Sequence, residues 1–260
     1  MTKYEMIEVE DVGSVKVAKL NRPQAANAIN TQLGCELLDV FADLAVPRDT
    51  RCVILSAAGE RHFCAGGDLK ERNGMTDDQY LKQHAVYERM VRAIVECPIP
   101  VIAAVNGIAY AGGTELVLAC DFAYAVPHAR FALTETSLGI MPGCGGTQNL
   151  PRAIGMRRAK ELILSATPFS AEEALQWGML NKIVSGSVMD EAMATATKIA
   201  SNGPLAITQA KRAMNFGAQM DLRSAMEFEI DAYNRLATSN DRKEGIAAFN
   251  ENRAPQWTGN

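Results

Sequence analysis

The residues that build most metal and cofactor sites are scarce in this sequence of 260 residues. It has three histidines, His62, His84 and His128, far apart along the chain. Its six cysteines, Cys35, Cys52, Cys64, Cys97, Cys120 and Cys144, include no CxxC pair. No zinc-ligand spacing results, so no metal site is expected. The thiols are expected to be free and buried, as in a reducing compartment. Long apolar runs are missing too. The stretches around Pro100–Val105 and Leu116–Ala119 are interrupted by Asn106, Gly107 and Glu115, and none approaches the roughly 18 residues of a membrane span. There is no basic excess: 26 Lys and Arg stand against 30 Asp and Glu, a net charge of −4. That balance argues against a nucleic-acid partner. A polyanionic ligand would have to be held by loop N–H groups, helix N-termini and single basic side chains. The charged opening MTKYEMIEVE carries no secretory or transit pattern, which gives the expectation of a cytoplasmic protein without a membrane partner.

What is present is 48% hydrophobic residues, enough for a sizeable core. Tyr4 to Val9 and Val15 to Leu20 alternate as strands, with Asp11-Val12-Gly13 between them as a hairpin turn. Leu33, Leu37, Leu38, Phe41 and Leu44 mark one face of a helix starting near Thr31. Arg51 to Ala57 and Val101 to Val105 read as strands. Thr76 and Gln79 form a capping box before a long helix that Pro98 and Pro100 end. Gly113 to Cys120 reads as a short helix and Asp121 to Val126 as a strand. From about Pro151 the chain turns helical. Ser170 and Glu173 form a second capping box, Asn181 to Val184 a short strand, and only helices follow. The alternation predicts an α/β fold with largely parallel strands and a site in the loops at their carboxyl ends. Residues 1–202 are read as the core and 203–260 as a helical C-terminal appendage, with Asn202-Gly203-Pro204 as the hinge.

Three segments could carry chemistry. In Phe63-Cys64-Ala65-Gly66-Gly67-Asp68-Leu69-Lys70, small residues let backbone approach a ligand, and exposed N–H groups could bind an oxyanion. Taken alone, this loop reads at least as well as a tight strand-to-helix connection. In Asn106 to Glu115, glycines precede a helix whose first N–H groups are free. Glu115 then stands beside the apolar run LVLAC. It is either an ordinary acidic residue near a helix start or a buried carboxyl with a task. Glu135 lies between FALT and the run Pro142-Gly143-Cys144-Gly145-Gly146-Thr147. That run is neither a Walker loop nor a GxGxxG fingerprint, since Gln148 takes the third glycine position, and its expected role is structural. No GxSxG elbow occurs.

Together these segments resemble the crotonase superfamily, the enoyl-CoA hydratase/isomerase group. The resemblance begins at NRPQAANAI (Asn21 to Ile29). It continues through FCAGGDLK, NGIAYAGGTELVLACD and FALTETSLGIMPGCGGTQNLPRAIG to FSAEEALQWGMLNKIV (Phe169 to Val184). It implies a spiral of ββα units with a helical tail at 203–260 that assembles trimers or hexamers. It implies an acyl-CoA substrate with no separate cofactor, since coenzyme A is part of the substrate. The oxyanion-hole N–H groups become Gly67 and Gly112, and Ala111 stands where the family often has its first glycine, a change expected to matter little. Both hydratase glutamates are matched, by Glu115 and Glu135. Thioester contacts are expected at Ala26, Ala65, Gly66, Gly67, Asp68, Leu69, Lys70 and Gly112. Retention of both acids points to reversible syn hydration of a 2-enoyl-CoA, with Glu115 mainly activating water and Glu135 exchanging the Cα proton. The alternatives are Δ3,Δ2-enoyl-CoA isomerisation, another enolate reaction, or a methylglutaconyl-CoA hydratase-like protein that also binds RNA. For the last, the nearest basic cluster is Arg152, Arg157, Arg158 and Lys160. Arg72 to Met90 and the helical tail are expected to shape the acyl pocket.

Overall fold

Alternation in IEVEDV and VKVAKL produces an antiparallel pair, β1 (Ile7–Val12) and β2 (Val15–Leu20). β1 begins later than its sequence pattern suggests. The turn is Gly13-Ser14 rather than Asp11-Val12-Gly13, because Val12 already pairs with Val15. The computed structural model describes residues 3–45 and 49–260. Asn30 caps α1 (Thr31–Asp43) by accepting from the Leu33 N–H.

One pattern then repeats. β3 (Cys52–Ala57) is followed by the short β4 (His62–Cys64) and by α2 (Leu69–Arg72) and α3 (Asp77–Val95). β5 (Val101–Val105) is followed by β6 (Ile108–Tyr110) and α4 (Gly112–Ala119). β7 (Phe122–Ala125) is followed by β8 (Arg130–Ala132), a 3-10 turn at Glu135–Leu138, α5 (Gly146–Ile154) and α6 (Met156–Ser165). In each unit the first strand joins a large sheet and the second a small one. β9 (Phe169–Ser170), α7 (Ala171–Gln176), β10 (Lys182–Ile183) and α8 (Val188–Ala200) complete the layers. The large sheet runs β1-β2-β3-β5-β7-β10 and the small one β4-β6-β8-β9. All neighbours are parallel except β1–β2 and β8–β9. This is the α/β spiral of ββα units that the resemblance implies.

The central strands β3 and β5 are buried on both faces, which explains why CVILSA and VIAAV are apolar throughout. One face packs Val15, Val17, Ile54 and Ile102 on Ala192 and Ala196 of α8. The other packs Leu20, Leu55, Ala103 and Val105 on α1 and α3. α5 begins at Gly146, earlier than expected, and accommodates Pro151 in its interior at the loss of one intrahelical bond. After Gly203 come α9 (Pro204–Gly217), α10 (Leu222–Ala237) and α11 (Asn240–Asn250). Lys211 of α9 is buried. Its Nζ donates to Asp121 Oδ2 at 2.6 Å and to the Ile99 carbonyl at 2.9 Å. Five of the six thiols are buried; Cys35 on α1 is exposed. Among the described residues no helix is long and apolar enough to cross a membrane.

Candidate active site

The parallel pairing of β4 with β6 brings the two glycine-bearing loops side by side at the ends of these strands. Side chains could not fit between them. A Cβ on Gly113 would lie 2.1 Å from the Cys64 carbonyl oxygen, and one on Gly66 (φ +92°) 2.7 Å from the Ala111 Cβ. The isolated bridge between Ile29 and Gly67 uses the Gly66 carbonyl and the Asp68 N–H, so the Gly67 N–H stands outside it. Gly112 opens α4, and its N–H has no acceptor within the helix. A Cβ on Gly112 would lie 3.8 Å from the Gly67 nitrogen, so the two glycines are neighbours in space.

Ala111 adopts φ 49° and ψ −123°, a conformation that ordinarily requires glycine and costs about 1–3 kcal/mol for other residues. The alanine is therefore less neutral than its small size suggests. Its N–H donates to the Ala132 carbonyl at 2.7 Å, and its carbonyl accepts from the Glu115 N–H at 3.1 Å. Those bonds hold the strained turn in place.

Glu115, in the first turn of α4, is 2% exposed. Its Oε1 accepts from the Cys144 and Gly146 N–H groups, each at 2.8 Å. Burial pushes its pKa up, and these two hydrogen bonds oppose that rise. The Pro142–Thr147 run therefore does more than start a helix: it builds the seat of a carboxylate. The sequence carries the signal, since glycines before a helix make an anion site, but not the identity of the anion.

Glu135 opens the 3-10 turn and is 7% exposed. Its Oε2 is buried without a hydrogen-bond partner. Burial, and then the neighbouring Glu115 charge, push its pKa up to about 7, while Arg72 pulls the other way. Both glutamates face a cavity of about 110 Å³ that Gly67 and Gly112 also line.

Two backbone donors and two unlike carboxyls around one small cavity form the geometry to set against known proteins. The sequence matches the enoyl-CoA hydratase/isomerase family over residues 10–260. It belongs to that family. It is 40% identical to the short-chain-enoyl-CoA hydratase of Clostridium acetobutylicum over 94% of each chain. It is 37% identical to the crotonyl-CoA hydratase of Syntrophomonas wolfei over 96% of each. The crystal structure of an enoyl-CoA hydratase from Bacillus anthracis superposes with a TM-score of 0.96 at 43% identity, covering 98% of this chain and 100% of that one.

Within this family member, Ala65, Gly67, Leu69 and Gly112 line the cavity; Ala26, Gly66, Asp68 and Lys70 do not. The Ala26 carbonyl accepts from the Ala65 N–H at 3.1 Å, which sets the two together beside the loop. Asp68 is engaged inside the protein. Its Oδ1 caps α2 through the Lys70 and Glu71 N–H groups, and its Oδ2 pairs with Arg22 at 2.7 Å. Burial opposes ionisation there, but Arg22 and the capping bonds hold its carboxyl below the usual range. Lys70 is exposed beyond the cavity.

Arg72, Tyr80, His84, Tyr87 and Met90 form one wall of the cavity, as expected of the segment 72–90; no residue of α9, α10 or α11 lines it. Arg152, Arg157, Arg158 and Lys160 are all exposed, with Arg158 stacked 4.6 Å over Trp177, as on a solvated helix face.

Proposed function

We propose that the protein catalyses reversible syn hydration of a 2-enoyl-CoA to a 3-hydroxyacyl-CoA. The observation that carries this reading is the unequal environment of two glutamates facing one cavity. The Gly67 and Gly112 N–H groups donate to the thioester oxygen. As water adds, that oxygen gains enolate charge, and fixed donors stabilise it more than the ground state. Glu115, anchored by two N–H groups, takes a proton from the water whose oxygen bonds to Cβ. Glu135, protonated near neutrality, delivers a proton to Cα. The hydroxyl and hydrogen so added come from one water and one glutamate proton, and exchange with solvent resets the pair. The hydratase names of the two relatives support hydration, and their bacterial sources support a cytoplasmic setting.

The test is loss of enoyl-thioester absorbance with crotonyl-CoA and a panel of longer and branched enoyl-CoAs. No turnover of any of them, with tight CoA-thioester binding, overturns the proposal. Isomerisation is the competing reaction; double-bond movement without uptake of labelled water would identify it.

Residues 203–260 are read as the assembly region of a trimer or hexamer. Met214, Phe216, Leu222, Met226, Ile230 and Tyr233 on α9 and α10 are exposed apolar side chains, which favours burial against further copies. Light scattering tests this, and a monomer at micromolar concentration contradicts it.

A further inference from the structure

We propose that Arg72 is a further catalytic group of this site, whose guanidinium offsets the negative charge that develops on the thioester oxygen. This rests on reading Gly67 and Gly112 as the oxyanion hole.

Among the described residues, Arg72 is the only Lys or Arg lining the cavity. Its guanidinium lies across the open face of Gly67. A Cβ on that glycine would lie 3.3 Å from Cζ, 3.4 Å from Nη1 and 3.6 Å from Nε. Everything that holds it is neutral. Nε donates to Gln83 Oε1 at 2.8 Å, and the rings of Tyr80 and Tyr87 stand 4.7 Å and 5.2 Å from Cζ. Gln83 is 3% exposed and is fixed in turn, with Nε2 donating to Thr31 Oγ1 at 2.8 Å and to Glu71 Oε2 at 2.7 Å. Among the described residues Arg72 forms no ion pair. A half-buried cation is normally paired with a carboxylate. Here the scaffold fixes its position without a direct ion pair, and the guanidinium faces the cavity. Charge held ready beside a glycine N–H favours the transition state over a neutral thioester, because that oxygen becomes anionic only during reaction. Gln83 is then a positioning residue.

The experiment compares wild type, Arg72→Met, Arg72→Lys and Gln83→Leu on crotonyl-CoA and on an enoyl-CoA with a terminal carboxylate, with thermal melts of each. Arg72→Met is expected to lower kcat roughly 10- to 100-fold on both substrates, with KM changed far less. Lys should recover part of the loss, and Gln83→Leu should lose less than Met. The basic limb of the kcat–pH profile, where the donor Glu135 loses its proton, should move up in Arg72→Met, since a cation that lowers the Glu135 pKa is removed. The other titratable groups on that cavity, Glu115, Tyr80, His84, Tyr87 and Cys144, are retained. Unchanged kcat on crotonyl-CoA, with loss confined to KM for the carboxylated substrate, overturns the proposal and assigns Arg72 to acyl recognition. Equal losses for Lys and Met with matching drops in melting temperature overturn it in favour of a structural role. Wild type that turns over no enoyl-CoA removes the proposed function, and this inference with it. Wild type that does so while Arg72→Met matches its kcat removes this inference alone.

Discussion

The seats of Glu115 and Glu135 face one cavity and are built in opposite ways. Glu115 sits in the first turn of α4, with two backbone donors on a single oxygen. Glu135 opens a 3-10 turn and has one oxygen buried with no donor at all. Burial raises both pKa values, but hydrogen bonds resist the rise at Glu115, whereas the negative charge of Glu115 adds to it at Glu135. Two chemically identical side chains are thus biased toward different protonation states by the donors and charges that the fold sets around each. In a coupled pair the macroscopic titration belongs to both, so variants must separate the roles.

The largest effect is expected from Glu115→Gln, which keeps the shape of the seat but removes the base. Hydration of crotonyl-CoA should fall about 10²- to 10⁴-fold. Exchange of the Cα proton of the product with deuterated solvent should survive better than hydration does. Glu135→Gln should lose at least about 10²-fold in hydration, with Cα exchange falling in parallel. Identical exchange-to-hydration ratios in the two variants would erase the division of labour.

Stability should show the same asymmetry more weakly. The folded pKa of Glu135 is raised from 4.5 to about 7. The folded protein therefore binds more protons than the unfolded chain between those values. Its contribution is full below pH 4.5 and is lost as pH rises through about 7. After allowance for solvent screening at the cavity mouth, the loss is about 2 kcal/mol. Denaturant titrations of wild type and Glu135→Gln should converge at acid pH, relative to their separation at pH 8. A constant separation would mean that Glu135 titrates normally.

The smallest effect is expected from Ala111→Gly, which touches only the turn before α4. Relief of backbone strain and the greater freedom of unfolded glycine, each about 1 kcal/mol, oppose each other. The melting temperature should move little, and activity should drop less than about threefold as the seat of Glu115 loosens. A loss equal to that of Glu115→Gln would make the strained turn part of the chemistry.

The long elements and both glutamates were legible in the sequence. The capping boxes at Thr76 and Ser170 form as read, because their partners are three residues away. β4 and β6 did not stand out as strands, since three residues cannot establish a period of two; the strand before Glu135 was legible, but not its place in a second sheet. The function of the Pro142–Thr147 run was hidden for another reason. Its N–H groups serve a carboxylate 29 and 31 residues earlier in the chain, a pairing only the fold creates. Arg72 was visible as part of a pocket-forming segment. Its approach to Gly67 depends on Gln83, one helix later, accepting its Nε–H.

The distribution of thiols gives the molecule an internal clock. Cys35 is exposed on α1, Cys144 is buried but faces the cavity, and the other four are enclosed by the packed layers. A maleimide added to the native protein should mark Cys35 within minutes and then stall. Later labels would arrive one after another as separate layers open, so their order, read by mass spectrometry, would time the breathing of each ββα unit without any engineered probe.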